Sequence, residues 1–168
     1  MLKVLIPVHS SHNCQFAVKH VIGQLMNNTA MEIHLLNVQA PFSRHITQFV
    51  SRKNVHDYHR DEAEKVLAPF RQMLDRFGIP YSVHTMVGDR AECITATARR
   101  LRCNQVVMST ARKNSLTRLV ENSVTNRVLA LTSVPVEVIA GDAMSKWERY
   151  GIPAGVVAAL ALLLAIAD

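Results

Sequence analysis

Apolar positions along this chain switch between short unbroken runs and stretches spaced by three and four residues. Leu2–Val8 (LKVLIPV) is a run of the first kind, which a strand buried on both faces requires. Polar HSSHN follows, and then Cys14, Ala17, Val18, Val21, Ile22 and Leu25 recur at helical spacing, with Ser10 or Ser11 available as the N-cap. Residues 31–38 (MEIHLLNV) predict a second strand, and residues 39–55, with Pro41, a longer connection. Ala63, Val66, Leu67, Phe70, Met73, Leu74 and Phe77 form the next helical stripe, and Gly78 stands where a helix C-terminus wants a left-handed residue. Pro69 inside the stripe predicts a kink or a split into two helices.

Further on, Tyr81, Val83 and Thr85 alternate with Ser82, His84 and Met86, the pattern of a half-exposed edge strand. Ala91, Ile94, Ala98 and Leu101 mark a helix that starts just after GDR. Residues 105–109 (QVVMS) read as strand four, the stripe Leu116, Leu119, Val120, Val124, Val128 and Leu131 as the fourth helix, and residues 135–140 (PVEVIA) as strand five. Strict alternation of strands and helices implies parallel strands joined by right-handed crossovers. The expected architecture is an α/β three-layer sandwich, with ligands at the C-terminal ends of the strands.

Composition narrows the function classes. A chain of 168 residues is expected to hold one globular domain, placed at 1–142, followed by a hydrophobic tail at 143–168. With 49% apolar residues and 19% charged ones the chain is not of the disordered kind. Three cysteines without framework spacing fit a reducing compartment, and the opening MLKVLIPV lacks the basic region and cleavage site of a secretory signal, so a cytoplasmic location is expected. Eight basic residues against two acidic ones between Arg90 and Arg127 equal the net charge of the whole chain, +6. None of the six glycines lies between Asp89 and Ala140.

Candidate chemistry is sparse. His9, His12 and Cys14 make an H-x2-H-x-C at the end of strand one, but Cys14 also belongs to the helical stripe, so no metal is expected there. His56 and His59 are expected to lie on a solvated helix start, and Cys93 and Cys103 to be buried, unreactive thiols. No nucleophile–base order, paired carboxylates or HExxH stretch appears, so no catalytic residue is assigned. Arg99, Arg100 and Arg102 suit the negative end of a helix dipole, and without interleaved aromatic residues over 90–127 a nucleic-acid surface is not expected. In the tail, Trp147, Arg149 and Tyr150 precede the apolar run 152–167, with Pro153 placed as a first helical residue. That run would span about 24 Å as a helix, short of a bilayer core of about 30 Å. Gly155 and Ala159 give it a small-xxx-small face, and membrane contact, burial in an oligomer or against the domain, and aggregation-prone fraying are the readings left open.

Several of these segments together carry a resemblance. KVLIPV, the LLNV ending strand two, VGDRAECI, VVMS and above all SLTRLVENSVTNRVLALTSVPVEVI resemble the universal stress protein family over about residues 2–140. The resemblance implies a five-stranded parallel sheet in the order 3-2-1-4-5, an adenine-nucleotide alpha-hydrolase-like fold, and a homodimer paired through the fifth strand. It also implies a ligand crevice between the ends of strands one and four, at His9 and Ser109. Members that hold ATP carry an acidic residue after strand one and a G-x2-G-x9-G-[S/T] loop after strand four. Those positions fall here on His9, then on Ser109, Arg112 and Asn122, with the hydroxyl at Ser123. The three glycines are missing, and with them the backbone freedom that lets N–H groups approach a phosphate. The implied pocket comprises Pro7, Val8, His9, Val38, Met108, Ser109, Arg112, Asn122, Ser123 and Val124, vestigial or weak toward ATP or AMP. The resemblance and the missing glycines together imply a non-enzymatic stress-response protein that works by dimerising and binding an as yet undefined protein partner. Two alternatives stand beside it. One is an ATP- or AMP-binding sensor or slow ATPase in which Arg112, Lys113 and Ser123 replace the glycine cradle. The other is a membrane adaptor anchored by its tail.

Overall fold

The computed structural model describes residues 1–27, 30–42, 51–112 and 124–143. Along them run β1 (Leu2–Val8), α1 (Cys14–Met26), β2 (Met31–Gln39), α2 (Arg52–Asp75), β3 (Tyr81–Val87), α3 (Arg90–Arg100), β4 (Gln105–Arg112), α4 (Val124–Leu131) and β5 (Val136–Ala143). The strands are parallel and lie in the order β3-β2-β1-β4-β5, as the alternation and the resemblance predict. β1 pairs with β2 over its full length, from Leu2↔Met31 to Val8↔Asn37, but with β4 only at Val4↔Gln105 and Leu5↔Val106. Beyond that pair the two central strands lead apart, at the point where the strand order reverses.

Because successive strand residues point to opposite faces, the unbroken apolar runs feed two cores. On one side Val4, Ile6 and Val8 of β1 join Ile33 and Leu35 of β2 beneath α1 and α2. On the other, Leu5, Leu36, Val38, Val106 and Met108 pack on α3 and on Val128 of α4. Each fully buried leucine or isoleucine contributes about 1.5–3 kcal/mol relative to exposure. β3 departs from the expected alternation. Tyr81 and Val83 pack on the first core and Met86 on the second, while Thr85 is exposed and His84 is half-buried against His34.

Two helix starts differ from expectation. Neither Ser10 nor Ser11 is the N-cap of α1. The cap is Asn13, without a side-chain capping bond, and the Ser11 hydroxyl instead accepts from the Asn13 N–H at 3.3 Å. α2 begins eleven residues before its apolar stripe, at Arg52, where the Ser51 hydroxyl accepts from the Asn54 N–H at 3.1 Å. Its polar first half is laced by Arg60–Asp57 and Lys65–Glu62 pairs and contributes His59 to the buried face that Ala63, Leu67, Phe70 and Leu74 continue. His59 is therefore packed against Phe42 and Tyr58 instead of solvated, whereas His56 is exposed. Pro69 does not split α2. It sits on the exposed face, where water can bond the carbonyl that loses its N–H partner.

At the other ends, Gly78 takes the left-handed conformation (φ 63°) and the Ile79 N–H closes on the Leu74 carbonyl at 3.1 Å. The same closure ends α3, with the Cys103 N–H on the Ala98 carbonyl, but there Arg102 holds the left-handed position (φ 54°), a conformation that costs an L-residue about 1 kcal/mol. Arg99 and Arg100 lie in the last turn of α3, where their charge complements the dipole.

Candidate functional site

The divergence of β1 and β4 leaves a cavity of about 90 Å³ at the C-terminal edge of the sheet. Its walls are Pro7, Val8 and His9 from the end of β1, Leu36 and Val38 from β2, and Met108 and Ser109 from β4. Among the described residues, Cys14 of α1, Arg90 and Ile94 of α3, and Val124 and Thr125 of α4 also line it. Seven residues expected from sequence thus come together: Pro7, Val8, His9, Val38, Met108, Ser109 and Val124. Asn122 and Ser123 lie outside the described residues, as does the Arg112 side chain.

Five wall residues went unselected in the sequence. Cys14 and Ile94 carried a signal as members of apolar stripes that reach the strand ends, and Leu36 sits next to the Asn37 of the LLNV run. Thr125 directly follows a selected position. Arg90 was legible only as the residue after the N-cap Asp89, at the tip of the helix that faces the crevice.

β1 is held at its exit by a buried amide. Asn37 lies opposite Val8, its Nδ2 donates to the Val8 carbonyl at 2.9 Å, and its Oδ1 accepts from Gln39 at 2.6 Å. His9 follows at once. The Ser11 N–H donates to His9 Nδ1 at 3.2 Å, so the neutral ring carries its proton on Nε2. Although the outer side of His9 is exposed, surrounding protein and, second, the Arg90 guanidinium hold its pKa below 6.5. The His9 N–H donates to Cys14 Sγ at 3.4 Å. Burial pushes the Cys14 thiol up, outweighing that bond, the nearby Ser109 hydroxyl and Arg90, so Cys14 is a neutral, poorly nucleophilic thiol. Ser109 Oγ is close enough to ease that shift, yet it is buried without a hydrogen-bond partner of normal geometry.

His84, on β3, is likewise held below 6.5, first by burial and then by His34 and Arg100. For both histidines the unfolded chain binds more protons between the folded pKa and 6.5, so stability rises with pH in that window and falls as pH drops below about 6.5. Urea denaturation is expected to show lower stability at about pH 5.5 than at about pH 7.5, with a smaller difference in His9→Gln and in His84→Gln. An undiminished difference in both variants would remove these histidines as its source.

The largest correction concerns β4. Strand four was expected to end at Ser109 and release a phosphate loop, but it continues to Arg112, with Ser109↔Ile139, Thr110↔Ala140 and Arg112↔Ala143 paired across to β5 and one irregularity between Thr110 and Arg112. Two of the three expected glycine positions, Ser109 and Arg112, are therefore in extended strand backbone. STAR has the side chains to continue a ladder where glycine would loosen it.

The basic stretch is also partly neutralised. Arg127 of α4 donates to the Asp89 carboxylate at 2.6 Å and approaches Glu92 at 3.9 Å. The Asp89 carboxyl, hydrogen-bonded by Arg127 and by the Glu92 N–H that it caps, is held below its ordinary value. Among the described residues no three His, Cys, Asp or Glu side chains converge on a metal position, and no helix is long and apolar enough to cross a membrane. The segment 152–167 lies outside them.

Comparison with known proteins gives a consistent picture. A family model described as "Universal stress protein family" matches residues 1–140. No curated protein sequence matches the chain. Among solved structures, the hypothetical protein MJ0577 is 24% identical, with a TM-score of 0.66 over 83% of this chain and 95% of that one. A universal stress protein family member from Burkholderia pseudomallei is 21% identical, with a TM-score of 0.62 over 82% and 94%. One from Arabidopsis thaliana, solved with AMP bound, is 18% identical, with a TM-score of 0.62 over 85% and 94%.

Proposed function

Because the chain belongs to the universal stress protein family, whose model matches residues 1–140, we propose that it serves stress response as a non-catalytic homodimer joined through β5, which binds a protein partner and does not cradle ATP. The observation that carries this reading is the continuation of β4 through Ser109 to Arg112. Extended backbone alternates its N–H groups between neighbouring strands and does not turn successive ones toward a single anion, as a phosphate nest does. At the end of β1 the acidic residue of ATP-holding members is replaced by His9, which cannot accept through Nδ1 while that atom takes the Ser11 N–H. Pairing through β5 accords with its position at the sheet edge, next to β4 alone.

Calorimetric titration of the full chain is expected to give no micromolar binding of ATP, and sedimentation equilibrium to give a dimer. Micromolar ATP affinity would overturn the reading of the crevice, and a monomer at all concentrations the reading of β5.

A nucleotide sensor is the competing reading, favoured by the relative solved with AMP bound. It requires Arg112, Lys113 and Ser123 to hold the phosphate. Nucleotide affinity unchanged in Arg112→Ala would discard that cradle.

A further inference from the structure

Among the described residues that line the crevice, the His9 ring and the Arg90 guanidinium act as donors, and the Ser109 and Thr125 hydroxyls can donate or accept. His9 offers Nε2–H, since its Nδ1 is engaged by the Ser11 N–H. Arg90 offers a guanidinium and, among the described residues, makes no ion pair. The neighbouring carboxylate, Asp89, is already taken by Arg127. Cys14 offers a protonated thiol, and beside it Ser109 a buried hydroxyl. The Val8 carbonyl accepts from Asn37, and no carboxylate is among the described lining residues. Apart from Thr125 the remaining wall is apolar, and Leu36, Val38, Ile94 and Met108 are all buried.

A ribose presents hydroxyl donors and finds its best partner in a carboxylate, whereas a donor-lined hollow favours a ligand that only accepts. One unpaired guanidinium matches one negative charge. The cavity of about 90 Å³ is smaller than the usual range of about 300–1,000 Å³ for ligand pockets, and so suits a body of few atoms.

We propose that the crevice binds a compact organic monocarboxylate, its apolar body between Leu36, Ile94 and Met108 and its carboxylate at Arg90 and the His9 ring. This rests on the reading that the crevice does not serve ATP, and it reverses the hydrogen-bonding polarity that ribose recognition requires. Binding of the anion opposes the Arg90 charge felt by His9, so the His9 pKa rises on binding.

The test is an NMR titration of the full chain with isobutyrate, its neutral isostere isobutyramide, isopropyl phosphate and AMP. Isobutyrate is expected to shift the Val38, Ile94 and Met108 resonances and raise the His9 pKa, with isobutyramide at least about tenfold weaker. Arg90→Gln, an exposed position at the start of α3, is expected to keep the native spectrum and to weaken isobutyrate about tenfold or more. Equal binding of the amide, tighter binding of isopropyl phosphate, or no response to isobutyrate would each overturn the proposal. Micromolar binding of AMP would instead overturn the reading of the crevice on which it rests, whatever the carboxylate does.

Discussion

Leu36→Ala is expected to lower the unfolding free energy by about 2–5 kcal/mol, read as a fall in the urea midpoint with the denaturant slope preserved. Leu36 is fully buried on β2, facing Pro7 of β1 and His84 of β3 in the register. Its side chain is part of the core under α3 and also forms a wall of the crevice. Neighbours on both sides are held in parallel ladders and cannot slide inward to fill the lost volume. The new void also merges with a hollow that already exists, so the lining loses dispersion contacts without replacement. Both arguments place the cost toward the upper part of the range. Leu36→Met, which conserves volume, is expected to cost less than about 1.5 kcal/mol. If Leu36→Ala costs no more than the methionine variant, the wall relaxes and Leu36 does not shape the cavity.

Asn37→Ala is expected to cost about 1–3 kcal/mol and to disturb the His9 amide resonance, measured by denaturation and NMR of the same protein. Asn37 is only 1% exposed, and its amide group is the partner of the Val8 carbonyl, the last of β1. Without it that carbonyl loses its amide donor in a buried place, and the side chain of Gln39 loses an acceptor. Asn37→Asp is expected to be worse, because an ionised carboxylate would face the same carbonyl without a proton to give. An Asn37→Ala variant of native stability, with His9 unmoved, would mean that the strand ladder alone holds the exit of β1.

The sequence disclosed most where side-chain chemistry and backbone period agree. LKVLIPV and MEIHLLNV are apolar enough to be buried on both faces, and their strands occupy interior positions of the sheet that allow it. Gly78 is legible because only a left-handed residue suits its place, and Arg102, in the same role, is not, since no preference marks it. The start of α2 at Arg52, a turn before the helix start expected at His56, escaped because RKNV shows no apolar period, and the buried contribution of His59 becomes visible only once Phe42 and Tyr58 lie against it. At the site, residues next to the strand ends were legible from the fold alone, which fixes where chains emerge. Arg90 was legible only as a residue of the first helical turn and not as part of the site, because its relation to His9 spans β2, β3 and most of the chain between them. The end of β4 was misplaced because the family pattern suggested a loop at Ser109, while the continuing pairing with Ile139 and Ala140 depends on a strand far along the sequence.

With β1 and β4 joined only at Val4–Gln105 and Leu5–Val106, the hollow beyond them is drawn by the paths of two backbones. Exchanging the side chains around it changes its chemistry and volume while the strand paths that open it stay. In evolutionary terms the shape is inherited with the topology, whereas affinity is inherited with the lining. A lineage can therefore abandon one ligand by drift and acquire another by a handful of substitutions, with no intermediate that must fold around a filled core.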